Sequence, residues 1–215
     1  MAIILTLAQR KGGAGKTSLA IHLGVGWSLA GRRVAMFDVD PQGSLAAWAA
    51  LRRARKDVAQ DRLSVAAVSG WKLGLELDRA RRDADIVILD SPPHAELDAK
   101  AAIRAADLVL VPVQPSPLDA WATGATLDVA RAEKRPALMI LNRVVARARL
   151  TQEIAAALAD GSVRLSGASL GNRTAFAASI AAGEGIEEYE PAGAAAGEIQ
   201  ALRAEIETIL QPRAG

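Results

Sequence analysis

A doubly wound α/β fold, with a mainly parallel sheet flanked by helices, is the architecture this 215-residue chain predicts. Three observations carry that expectation. Apolar runs of strand length alternate with longer helical patterns along the chain. The first run passes through a glycine-rich turn straight into a helix. Later runs end in Asp40, Asp90 and Asn142, which places polar side chains at the carboxyl ends of strands, where ligands bind in open α/β sheets.

Ala2 to Ala8 is apolar, short and β-rich, and reads as a buried strand. Arg10 to Ser18 follows as R-K-G-G-A-G-K-T-S, and Leu19 to Ala30 is a helical pattern closed by Gly31. Glycines let the backbone approach phosphate oxygens, and the free N–H groups of a first helical turn point at them. The candidate nucleotide cradle is therefore Lys11, Gly12, Gly13, Ala14, Gly15, Lys16, Thr17 and Ser18. Lys16 is expected along the β- and γ-phosphates, and the Thr17 hydroxyl in a magnesium shell. The ordinary phosphate-loop pattern asks for glycine where this chain has Arg10, and a second lysine, Lys11, opens the loop instead.

Arg33 to Asp40 reads as the second strand, with 41–44 as its exit turn. Side chains two apart on a strand share a face, so Asp38 and Asp40 are expected to project together. A carboxylate pair beside a phosphate loop suits magnesium contacts and orientation of an attacking water; an N-cap aspartate plus a solvated one is the plainer reading. Ser44 to Lys56 is a helix carrying Trp48, and its end, Arg52, Arg53, Arg55 and Lys56, reads as a solvated basic face. Leu63 to Val68 is a weak strand. Trp71 to Ala84 is an amphipathic helix with apolar positions 71, 73, 75, 77 and 80.

Asp85 to Asp90 is a buried strand that delivers a carboxylate to the ligand edge, where Asp90 is expected to hold magnesium through a water. Pro92 and Pro93 stiffen the turn that follows. His94 lies either near the phosphates or on an exposed turn. Glu96 to Ala106 is helical, Asp107 to Val113 is a strand, and V-P-V-Q-P-S-P-L-D leads into a helix over 120–134. Pro136 to Arg143 is a further strand. Asn142 at its end offers a donor and an acceptor to an adenine edge, or simply forms a turn. Helices over Thr151–Ala159, Thr174–Ala182 and Gly197–Leu210 complete the chain, with a short strand possible within 163–173.

Bulk numbers narrow the chemistry. The chain contains no cysteine, which removes disulfides, thiolate metal sites, iron–sulfur ligation and cysteine nucleophiles together. A net charge of +2 is compatible with nucleic acid without indicating it. No apolar run reaches the length of a membrane span, and residues 2–8 are too short for a signal-peptide core, so a cytoplasmic location is expected. The length suits a single α/β domain over 1–215.

K-G-G-A-G-K-T, D-V-D-P-Q-G-S, V-I-L-D-S-P-P and the proline-rich loop together resemble the ParA/MinD group of deviant Walker A ATPases, most closely its ParF-like plasmid partition branch. The resemblance implies ATP and Mg²⁺ as ligands and a homodimer formed with ATP. Lys11 and Lys16 would act on the phosphates, Lys11 across the dimer interface. Asp40 would position the hydrolytic water, and Asp38 would join the magnesium and switch network. It further implies weak hydrolysis stimulated by a small DNA-binding or cargo adaptor protein, no membrane partner, and nucleoid association through non-specific DNA. Arg173 and Arg203 fall near the places where relatives carry DNA-contacting residues; Arg143, Arg147 and Arg149 are the alternative cluster, and solvated surface arginines the plainer reading. A different class on the same fold is a stand-alone biosynthetic enzyme, cobyrinic acid diamide synthase-like or dethiobiotin synthetase-like. A MinD-like membrane switch needs a basic amphipathic tail, whereas helix 197–210 carries acids on its polar face.

Overall fold

The computed structural model describes residues 2–55, 62–93, 96–145, 149–159, 161 and 163–211. Lys56, His94 and Arg147 lie outside the described residues. Seven strands, β1 (Ile3–Leu7), β2 (Val34–Asp38), β3 (Leu63–Ala67), β4 (Ile86–Asp90), β5 (Leu108–Val113), β6 (Ala137–Leu141) and β7 (Arg164–Leu165), form one sheet in the order β3-β2-β4-β1-β5-β6-β7. Every pairing is parallel. The phosphate-loop strand β1 is thus flanked by the Asp90 strand and by the strand that leads into the proline-rich loop.

The helices fall into two layers. α1 (Lys16–Leu29), α2 (Ser44–Ala54), α7 (Thr174–Ala181), α8 (Ile186–Tyr189) and α9 (Ala194–Leu210) pack among themselves on one face. α3 (Leu73–Asp83), α4 (Glu96–Ala105), α5 (Pro117–Ala132) and α6 (Arg149–Ala159) cover the other. Strand side chains alternate between the two layers. Leu5, Leu7, Met36 and Ile88 join the core under α1 and α9, with Trp27, Trp48, Ile199 and Leu202. Ile4, Phe37, Val87 and Leu89 point the other way, against Leu73, Leu77 and Ala102. Strands buried on both faces explain the continuous apolar runs seen in the sequence.

Pro112 sits inside β5, an interior strand, where a missing N–H normally breaks the ladder. Here β1 pairs with β5 only as far as Leu7 with Leu110, so Pro112 lies beyond the β1 ladder. The Gln9 Nε2 group donates to its carbonyl at 3.3 Å. The proline therefore costs no hydrogen bond on the β1 side.

Several expectations change. β2 ends at Asp38 and leaves Asp40 in the turn, so the two carboxylates do not share a strand face. Of the apolar stripe expected over 71–84, Leu73 and Leu77 are buried, whereas Trp71, on a 3-10 turn over Gly70–Lys72, and Leu75 are exposed. α5 begins at Pro117 because the Ser116 hydroxyl caps it, accepting from Asp119 N at 3.2 Å, with proline at its first position. α9 begins three residues earlier than expected, and the short α8 was not foreseen. Arg52 does not lie on a solvated face. It is 5% exposed, makes two 2.8 Å contacts to Glu188 and donates to Gly183 O at 3.2 Å. Among the described residues, no helix is long and apolar enough to cross a membrane.

Candidate nucleotide-binding site

Gly13 and Gly15 adopt φ of 76° and 97°, which turns the chain from β1 into α1 and leaves the first-turn N–H groups of Lys16, Thr17 and Ser18 open. No side chain caps this helix and none of its own first-turn residues is acidic, so its first N–H groups stay open to an anion. Two amide side chains hold the loop in place. Gln114 Nε2 donates to Gly13 O at 2.9 Å, and Asn142 Nδ2 donates to Ala14 O at 2.8 Å. A Cβ on residue 15 would lie 2.3 Å from Asn142 Nδ2, so only glycine permits this clamp. Asn142 Oδ1 also accepts from Arg143 N at 2.9 Å. The expected adenine reader is, in its observed arrangement, a brace between β6 and the phosphate loop.

Lys16 is 7% exposed and donates to Gln9 O at 3.1 Å. Burial lowers its pKa, while the nearby Asp90 and Asp40 charges raise it. An ammonium held in so dry a place is primed for a stronger anionic partner. Thr17 Oγ1 donates to Asp90 Oδ2 at 2.6 Å. Burial pushes the Asp90 carboxyl up to about 7, against the lowering effect of the Thr17 hydrogen bond. Its Oδ1 is buried without a hydrogen-bond partner. A hydroxyl beside a carboxylate with an orphaned oxygen fits a magnesium ion that takes its remaining ligands from phosphate and water.

Asp38 occupies a supporting position. Its Oδ2 accepts from Ala46 N at 2.9 Å and its Oδ1 from Asp40 N at 3.2 Å. Burial raises its pKa, and those two backbone bonds oppose the shift. Asp38 thus fixes the turn that carries Asp40. Asp40 Oδ1 accepts from Gln42 N at 3.0 Å, which leaves the carboxylate half-buried at the ligand edge.

Lys11 has a partner within its own chain. Its Nζ donates to Asp119 Oδ2, which also accepts from the Ser116 hydroxyl. Asp119 is 1% exposed at the start of α5, whereas the Lys11 side chain is 38% exposed. Gln9 anchors the loop entry to α5 through Thr123 at 2.9 Å and Thr126 at 3.2 Å. Gln9, Gln114 and Asp119 were not singled out from sequence; the signal available for Asp119 was its place three residues after an N-capping serine.

Beyond Gly15 and Ser18 a cavity of about 410 Å³ runs between α1 and the 170–177 segment, lined by Leu19, Leu170, Asn172 and Phe176 with Arg143 and Arg173. Apolar walls with a few polar groups suit a purine and its ribose. His22 borders this cavity, is 2% exposed, and its Nδ1 accepts from Ile186 N at 3.2 Å. Arg173 lies at the N-terminus of α7 and pairs with Glu198 at 2.7 Å. Arg203 is placed differently from a surface cation. Its side chain is 13% exposed, donates to Gly26 O at 2.7 Å and pairs with Glu187 at 2.9 Å, tying α9 to α1 and α8. Arg143 is exposed with φ of 56°, and Arg149 pairs with Glu153 at 2.8 Å.

Residues 5–186 match the CobQ/CobB/MinD/ParA nucleotide binding domain. The chain is 27% identical to a maintenance of carboxysome distribution protein A of Halothiobacillus neapolitanus, over 95% of this chain and 96% of that protein. It is 30% identical to a protein named ParA of Rhizobium radiobacter, over 81% of each. In fold it is similar to the septum site-determining protein MinD of Pyrococcus horikoshii, solved with Mg-ADP, at a TM-score of 0.77, 18% identity and 97% coverage of both chains.

Proposed function

The chain belongs to the CobQ/CobB/MinD/ParA nucleotide-binding family, and from that premise we propose that it is a Mg²⁺-dependent ATPase that dimerises with ATP and positions a cargo over nucleoid DNA. The observation that carries this reading is the phosphate loop itself: a buried Lys16, the Thr17–Asp90 pair at 2.6 Å, and Lys11 held by Asp119. Relatives named for carboxysome distribution and for chromosome partitioning support either a protein assembly or a DNA replicon as cargo.

In this reading the N–H groups at the start of α1 and the Lys16 ammonium receive the β- and γ-phosphates, and the base enters the cavity beside Phe176. Mg²⁺, when bound, would be held by Thr17 and, through water, by Asp90, and would offset phosphate charge. Asp38 keeps the Asp40 turn in register, and Asp40 aligns a water for attack on the γ-phosphorus. The bond to the ADP oxygen then breaks and phosphate leaves. Lys11 exchanges Asp119 for the phosphates of the partner protomer, so catalysis is electrostatic and awaits the dimer. Stimulation by an adaptor protein belongs to the same reading.

Equilibrium titration with ATP tests the site. Lys16→Ala should lose affinity by at least tenfold; affinity equal to the wild type would sink the assignment. Light scattering with ATP and Mg²⁺ tests the assembly. Lys11→Ala should bind ATP yet stay monomeric, and Asp40→Ala should dimerise and persist.

A further inference from the structure

A second cavity, of about 210 Å³, lies on the α4–α5 side of the sheet. Ala8, Gln9 and the 91–93 segment form its floor; Ala99 and Ile103 of α4 and Val129 of α5 form its walls. The polar groups at its back are already satisfied. Gln9 bonds to Thr123 and Thr126, and Ser91 Oγ donates to Leu7 O at 2.7 Å. Nothing inside asks for a polar ligand.

Size restricts the occupant. An apolar cavity of about 150 Å³ accepts a benzene ring, whereas pockets for whole small molecules begin near 300 Å³. A space of about 210 Å³ therefore takes one aromatic or branched side chain and excludes a nucleotide or a cofactor. Charge restricts it further. Lys100 stands at the rim, 3.4 Å from Glu133, but Arg104 holds that carboxylate more closely at 2.7 Å. Two cations share one anion, which leaves net positive charge beside the opening.

We propose that this cavity is the docking point for a partner polypeptide that inserts one phenylalanine-sized side chain flanked by an acidic residue. The inference deepens the ATPase reading by giving its adaptor a site, and rests on that reading only for its consequence. An occupant would brace Pro92 and Pro93, which follow directly on the Asp90 strand and Ser91, and so bear on the Thr17–Asp90 pair.

Methyl NMR on the full, nucleotide-free chain tests the proposal without involving ATP, so its failure and a failure of the nucleotide titrations are distinguishable. The probe is a blocked hexapeptide, Ala-Ala-Phe-Glu-Ala-Ala. It should shift the Ile103 and Val129 methyl resonances saturably, and a Gln-for-Glu version should bind at least fivefold more weakly. Ala99→Met fills the cavity and should abolish the shifts; Val129→Ile serves if that variant folds poorly. Lys100→Glu should weaken binding at least fivefold. Absence of saturable shifts, shifts that survive a cavity-filling variant, or equal binding of the two peptides would overturn the proposal. So would 3-phenylpropionate binding as tightly as the peptide, which would assign a free carboxylic acid instead.

Discussion

Lys11 and Ser116 both donate to one buried oxygen of Asp119, so the resting loop holds the lysine inside its own chain. A hydrogen bond to a charged group contributes about 1.5–3 kcal/mol, which the proposed dimerisation would have to replace with phosphate contacts. Asp119→Asn removes that competitor. With ATP, the protein concentration for half-dimerisation should fall by roughly tenfold, equivalent to about 1.4 kcal/mol; an unchanged midpoint in light scattering would reduce Asp119 to a helix-start residue. His22 gives a separate, acid-dependent expectation. Burial holds its pKa down to about 3 from 6.5. Across that window the unfolded chain binds a proton that the folded protein refuses, so stability falls as pH drops, by up to about 1.4 kcal/mol per unit. Asp90, pushed up to about 7, works in the opposite sense: its contribution is present at low pH and lost as pH rises toward 7. The difference between wild type and His22→Asn, which keeps an acceptor for Ile186 N, isolates the histidine. Urea melts should show the wild type gaining on the variant from pH 4 to pH 6.5, and a flat difference would refute the assignment. At this scale the glycine turn from β1 into α1 and the place of Asp90 at the end of β4 were legible because glycine spacing and strand-terminal acids have local causes. Asn142 and Arg203 were not, because their partners, Ala14, Gly26 and Glu187, are distant in sequence or meet only in the fold.

At the scale of elements, α2 is fixed at both ends. Asp38 accepts from Ala46 N at its start, and Arg52 bonds Gly183 and Glu188 near its end. Gly183 has φ of 71°, and a Cβ there would meet the Leu51 and Arg52 backbone at 3.0 Å. Gly183→Ala therefore combines a left-handed strain with a clash against atoms that cannot rotate away, and should cost about 2–3 kcal/mol. Gly124 lies within α5 with nothing inside 4 Å of an added Cβ, so Gly124→Ala should gain about 0.5–1 kcal/mol of helix propensity. Chemical denaturation checks both, and equal effects would contradict the packing described. Periodicity placed the long elements because each has a face or a body to bury. It misjudged Trp71 and Leu75, whose helix exposes part of its apolar stripe, and it missed α8, four residues held by the His22 acceptor and the Glu188 side chain.

The five inner strands were legible from the alternation of elements, since strands buried on both faces leave continuous apolar runs whatever their order, whereas the exposed edge strands β3 and β7 leave only a weak and a short signal. Which cations stay at the surface was not legible, because that depends on where α9 lands on α1. The two arginines expected to meet DNA are separated by that packing. Arg173 remains 42% exposed in its pair with Glu198, whereas Arg203, 13% exposed, is tied to Glu187 and Gly26. If the ATP-bound dimer grips duplex DNA, each phosphate neutralised contributes a slope of about −0.9 in log affinity against log salt. Arg173→Ala, counted in both protomers, should flatten the slope by about 1.8. Arg203→Ala should leave the slope unchanged and instead cost about 1–3 kcal/mol of stability, because it removes the cation from a buried Glu187 carboxylate and leaves it the Gln200 amide. The two variants thus exchange signatures between a binding isotherm and a melt. The reverse pattern would put the DNA surface on the α9 side. No detectable duplex binding at low salt with ATP and Mg²⁺ would remove DNA from the proposed function, leaving the ATPase without its track.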